Sequence, residues 1–206
     1  MQKDSILNII LVGIGLCTIC GAVISTVAVS LKDQQEQNVI FDQQSKIIDA
    51  ARLLEFYPSS IEALESIKEV IVDLNDGQPS DYPSDQYDLD TILRDSSQHK
   101  VLNGADDIAM ISVRENISKV FIEYRNNEFK TLILPVRGYG LWGTLYGYLA
   151  LDSDLNTIVG LEFYKHKETP GLGAEVDNPN WKKLWNGKKV YDENGLVQIE
   201  VIKGFS

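Results

Sequence analysis

The longest apolar run is residues 6–31, which hold no charged side chain. At ~1.5 Å rise per residue a helix of that length reaches roughly 39 Å, more than the ~30 Å hydrocarbon core of a bilayer. Residues 32–57 then turn amphipathic. Ile40, Ile47, Ala51 and Leu54 recur at helical spacing with Gln, Lys and Asp between them, and Pro58 marks the stop. Ser59 and Glu62 have the spacing of a capping box, and Ile61, Leu64, Ile67, Ile71 and Leu74 line one face. This predicts a helix through residue 74. Residues 75–90 are acidic and rich in turn formers, a surface excursion without the closing Glu of a calcium loop. Residues 91–118 mix short apolar runs with turn residues and receive no assignment.

From residue 119 the period changes towards two. Residues 119–125 and 129–136, joined by Asn126-Asn127-Glu128, predict an antiparallel hairpin with Pro135 near its end. Residues 144–151 and 157–164 predict a second hairpin about the turn Asp152-Ser153-Asp154-Leu155-Asn156. Asn178-Pro179 opens a short helix over 180–185, and residues 189–191 and 197–202 read as two further strands about a turn. The expected class is α+β: an N-terminal transmembrane helix, then an antiparallel sheet with flanking helices. The expected organisation is a tail over 1–5, a membrane helix over 6–31, a helical stalk over 32–57 and one domain over 58–206.

A cleaved signal peptide is the competing reading of residues 6–31. It is disfavoured by a weakly basic start, a run beyond the usual ~7–15 apolar residues, and a poor cleavage site at Val27-Ala28-Val29-Ser30. Gly13, Cys17, Gly21 and Ser25 form a row of small residues, with Thr18, Ala22, Thr26 and Ser30 beside it. Such a face admits a second helix closely, which points to a larger membrane complex. Lys3 favours an inner N-terminus and an outer soluble domain.

The net charge of −11 falls on the part beyond the apolar run and argues against nucleic acid as a partner. Cys17 and Cys20 lie inside the apolar run and suit helix packing. The remainder has no cysteine and only His99 and His166, so neither a disulfide framework nor a recognisable metal site is expected.

The least generic residues flank the second hairpin, in Gly138-Tyr139-Gly140-Leu141-Trp142 and Glu168-Thr169-Pro170-Gly171-Leu172-Gly173. If strands 144–151 and 157–164 pair, both loops lie at one end of the sheet. Leu141, Trp142 and Leu172 suit the face of a flat apolar ring, Glu168 and Thr169 add polar groups, and Gly171 and Gly173 let the main chain approach a ligand. Glycines that merely turn the chain, with Trp142 in the core, fit the residue types equally well. Gly138 to Gly143 also spells Gly-x-Gly-x-x-Gly, but a strand follows where a dinucleotide site needs a helix. Asp152 and Asp154 sit in a turn and suit solvation there better than catalysis. No catalytic residue and no metal ligand is nominated.

These residues resemble the C subunit of the sodium-translocating NADH:quinone reductase of bacterial membranes. The likeness covers Asp4-Ser5 and the apolar run, Ser25 to Val29, Gln44-Ser45-Lys46-Ile47, Arg137 to Trp142, Leu145 to Ala150, Glu168 to Gly173 and Asn180-Trp181-Lys182. The G subunit of the Rnf electron-transport complex is the looser alternative, and a membrane-anchored assembly protein without a redox role is the other. The resemblance implies an FMN-binding domain outside the cytoplasm on one inner-membrane helix, other reductase subunits as partners, and electron flow from NADH to ubiquinone coupled to sodium export. It makes Leu141, Trp142, Glu168, Thr169, Gly171, Leu172 and Gly173 the candidate FMN residues. In the family FMN is joined through its phosphate to the threonine of a Ser-(Gly/Ser)-Ala-Thr motif. No such motif occurs before the chain stops at Ser206, and a sequence cut short is the expected reason.

Overall fold

The computed structural model describes residues 6–201. The expected tail over 1–5 and the last residues of the chain lie outside them. The chain divides into two units, Met1–Asp42 and Gln43–Ser206.

Helix α1, Ile6–Ala50, supplies the first unit and continues to the start of the second. It is long and apolar enough to cross a membrane. Its apolar side chains from Ile6 to Leu31 are exposed. The hydroxyls of Thr18 and Thr26 donate to the carbonyls of Ile14 and Ala22, each at 2.8 Å. A polar side chain satisfied within its own helix tolerates an apolar surrounding. The charged face begins at Lys32, which pairs with Glu36 at 3.7 Å.

Within the second unit α1 stops at Ala50, seven residues before the expected end at 57. Arg52 adopts a left-handed backbone at φ 53°, and a single 3-10 turn, Leu53–Glu55, follows. Burial accounts for the stop. Ile47, Ile48, Ala50, Ala51 and Leu53 all enter the core, and a straight helix cannot point all of them inward.

Helix α2, Ser60–Glu65, opens on the expected capping box: Ser59 Oγ accepts the Glu62 amide at 3.3 Å. It does not run to residue 74. Strand β1, Ile67–Asp73, takes over. Ile67 and Ile71 are four apart, a spacing that serves a helix face and a strand face alike. The β-branched run Val70-Ile71-Val72 and a partner strand decide for β.

Helix α3 is Leu89–Arg94, and β2, His99–Val101, pairs with β3, Val113–Glu115. The main sheet adds β4, Ile117–Arg125; β5, Glu128–Tyr139; β6, Thr144–Asp152; and β7, Ile158–Lys165. Its order is β1-β4-β5-β6-β7, antiparallel throughout. Both hairpins form where expected. Asn126 and Asn127, at φ 54° and 62°, make the tight turn of the first. β5 runs on to Tyr139, past the expected end at 136. Pro135 has no N–H to give, and it lies beyond the last β4–β5 pair, Phe121↔Ile133, while β5 continues against β6.

Asn178 caps α4, Pro179–Lys183, by accepting the Asn180 amide at 3.0 Å. The strands expected over 189–191 and 197–202 are only single bridges, Thr157↔Lys189 and Tyr191↔Val197. Asp192 shapes the turn between them instead, accepting the amides of Asn194 and Leu196 at 2.8 and 2.9 Å. Ile202 lies outside the described residues.

The core joins the end of α1 to the sheet through Ile133, Ala150 and Tyr148. Tyr148 meets Phe121 edge-on at 5.8 Å and stacks on Tyr164 at 5.0 Å. At Gly160 the packing admits no side chain, because a Cβ would sit 2.4 Å from the Ala50 carbonyl oxygen. One carboxylate is fully buried. Glu123 accepts from Tyr57 Oη at 2.9 Å, Thr131 Oγ1 at 3.1 Å and Arg125 Nε at 3.1 Å. Three donors, one of them charged, offset its desolvation.

Candidate functional site

The register of three strands builds the site. β5 and β6 pair down to Tyr139↔Thr144, and β6 pairs with β7 at Tyr146↔Lys165. The connection over 140–143 and the segment after β7 therefore leave the sheet at the same end. The first is a tight loop closed by the Gly140 amide on the Gly143 carbonyl at 2.8 Å. The second turns at Gly171, φ 75°, where the Leu172 and Ala174 amides both reach the Thr169 carbonyl, at 3.1 and 3.2 Å. It then enters a 3-10 turn, Gly173–Asp177.

Glu168 joins the two loops. Its Oε1 accepts the Trp142 amide at 3.0 Å. A Cβ at Gly140 would lie 2.4 Å from Glu168 Oε1, and one at Gly173 2.4 Å from Oε2. The Glu168 carboxylate fills the space between the loops, and a side chain at Gly140 or Gly173 would have to displace it. Gly171 has open space at its Cβ position, so its backbone angle is what requires glycine there. Gly138 and Tyr139 belong to β5, and the Tyr139 amide donates to Ala109 O at 2.8 Å.

Leu141, Trp142 and Leu172 are 79%, 62% and 73% exposed. Trp142 does not enter the core, which removes one alternative left open by the residue types. Three large apolar side chains held in water beside one carboxylate form a surface with something to cover. Glu168 and Thr169 precede Leu172 on the second loop. β6 follows the Gly-x-Gly-x-x-Gly segment, so no helix N-terminus meets a pyrophosphate there. Asp154 works as a turn residue, accepting from the Thr157 amide at 2.7 Å, Thr157 Oγ1 at 2.6 Å and the Asn156 amide at 2.9 Å. The Thr157 bonds above all, then those from Asn156, hold its carboxyl down at about 2.

At the end of β7 lies an open pocket of about 470 Å³ lined by Lys46, Tyr164, His166 and Lys182 among others. Glu162 accepts from Lys46 at 3.3 Å and from Lys182 at 2.5 Å. Burial first, and then Glu162, raises the carboxyl of Asp49 above its ordinary range, with Lys46 and Lys182 opposing. Tyr164 is pushed up to about 12 by burial, with Tyr146 adding to it. His166 lines this pocket and ties the second loop to the 3-10 turn: Nε2 meets Asp177 Oδ2 at 2.7 Å, and Nδ1 accepts the Glu168 amide at 3.2 Å. Reading the sequence missed His166 and Asp177. They are eleven residues apart in the chain, and only the Pro170-Gly171 turn brings them together.

The FMN-binding domain family matches residues 140–206, which include both loops. The C subunit of the Na(+)-translocating NADH-quinone reductase of Pseudomonas aeruginosa is 42% identical over 208 residues, covering 98% of this chain and 80% of that one. Its counterpart in Vibrio vulnificus is 38% identical over 210 residues with the same coverage. Among solved structures, Shewanella oneidensis NqrC superposes with a TM-score of 0.71 at 30% identity, over 79% of this chain and 76% of that one. The C subunit from Parabacteroides distasonis does so at 0.59 and 29%, over 82% and 74%. Similar over nearly its whole length to such relatives, the chain belongs to the family formed by the C subunit of the Na(+)-translocating NADH-quinone reductase.

Proposed function

We propose that this chain is the membrane-anchored, FMN-carrying subunit through which electrons pass in a sodium-pumping NADH:quinone reductase. The observation that carries this reading is the exposed trio Leu141, Trp142 and Leu172, set about the carboxylate that stitches their two loops together. A flat tricyclic ring offers such a trio the apolar cover it lacks, and the residues present therefore fit FMN. When bound, FMN supplies one- and two-electron transfer at its isoalloxazine ring. Leu141, Trp142 and Leu172 would cover the ring and exclude water from it. Thr169 would offer it a hydroxyl. Glu168 holds the loops at a fixed separation, and Gly171 and Gly173 give the second loop the path this requires.

Residues 6–31 serve as the anchor in the bacterial inner membrane, residues 32–42 as a stalk, and the domain that begins at Gln43 faces the periplasm. The other subunits of the reductase are its partners, since its relatives are named as one lettered subunit of an assembly. The test is complementation. Membranes lacking the chain recover NADH-driven quinone reduction when it is restored. Trp142→Ala and Leu172→Ala restore about a tenth of that rate, the loss expected from roughly 1.4 kcal/mol of misplacement. Full recovery by both variants at equal protein level would overturn the reading.

A further inference from the structure

Asp177, His166, Glu168 and Trp142 form a single file of hydrogen bonds from the 3-10 turn to the first loop. An amide N–H can only donate, so His166 Nδ1 must hold a lone pair to accept the Glu168 amide at 3.2 Å. An ionised carboxylate can only accept, so Nε2 must carry the proton it shares with Asp177 at 2.7 Å. The two partners thus select one neutral tautomer. A second proton, taken from solvent, has only Nδ1 to occupy, and there it removes the acceptor for the Glu168 amide. The contact with Asp177 survives that change and gains charge. Glu168 is the residue whose side chain spans Gly140 and Gly173 and binds the Trp142 amide.

We propose that His166 is the positioning residue of the two site loops, and that protonation at Nδ1 releases Glu168 and loosens them. The loops' role in facing flavin rests on the function proposed above, whereas the switch concerns only bonds within this chain. The charged groups around the imidazole come from every element packed on it: Asp177 from the 3-10 turn, Lys182 from α4, Lys46 from α1, Lys165 and Glu162 from β7, and Glu168 beyond it.

The full chain is prepared in detergent without flavin. Nitrogen NMR of histidine-labelled protein, assigned with His99→Gln, should show the Nε2–H tautomer for His166 at neutral pH. Amide exchange at Trp142 and Glu168, normalised to intrinsic rates, is followed from about pH 8 to about pH 5, the range of imidazole titration. Protection should fall about tenfold in the parent, the change that 1.4 kcal/mol produces. His166→Gln should keep its protection across the range, because the side-chain oxygen of Gln can accept the Glu168 amide and does not titrate. His166→Leu should lack it at every pH. An Nδ1–H tautomer, or the same pH profile in the parent and His166→Gln, overturns the proposal. If His166→Leu does not fold, the parent and His166→Gln still decide it. No readout uses FMN, so a failure here leaves the flavin reading standing, and a chain that binds no flavin leaves this one standing.

Discussion

Glu168 shows how much one side chain can settle. It accepts an amide from the first loop, fills the space that two glycines leave, and hangs from His166 by its own amide. Glu168→Ala should loosen both loops by about 1 kcal/mol, the usual size of one part-exposed hydrogen bond. Faster normalised exchange at the Trp142 amide, with α4 unaffected, would report it. Glu123 is the contrasting case, an acid for the fold alone. Glu123→Ala leaves Arg125, Tyr57 and Thr131 without their common acceptor and should cost about 3 kcal/mol, read from the urea midpoint. Arg125 remains stacked on Phe56 at 3.5 Å, which keeps the loss at the lower end of the range for broken buried pairs. Residue type left Trp142 divided between a ring surface and the core, and its exposure shows only that it stays out of the core. His166 and Asp177 could not be picked out from residue type, since their partnership exists only once the chain has turned at Gly171.

At the scale of elements, local pattern sufficed wherever local chemistry decides. The capping box at Ser59, the two hairpins and the Asn178-Pro179 helix start all stand where their residues place them. It misled where a distant partner decides. The i, i+4 pair Ile67 and Ile71 served helix and strand equally until β4 was there to pair with it. The end of α1 was set by Gly160 and the core, neither of which periodicity can see. Gly160→Ala should push the last turn of α1 from the sheet and cost about 2 kcal/mol, as overpacking does. An unchanged melting curve would contradict that placement. The β6–β7 turn should respond to acid. Asp154 has a depressed carboxyl, about 2 against an ordinary 3.8, so its contribution is present above 3.8 and disappears as pH falls through about 2. Amide exchange at Asn156 and Thr157 should quicken over that window in the parent and be fast throughout in Asp154→Ala.

At the scale of the whole molecule, an apolar helix and an acidic α+β domain were legible from charge and periodicity, and the family from motifs spread along the chain. The site loops are proposed to hold the flavin ring. The most direct measurement is titration of FMN with the full chain in detergent, following flavin fluorescence, with riboflavin as competitor. Saturable quenching is expected, with competition by riboflavin despite its missing phosphate and an affinity about tenfold lower in Trp142→Ala, as loss of one stacked ring implies. Quenching that is unchanged in Trp142→Ala, or that riboflavin does not compete away, would contradict it.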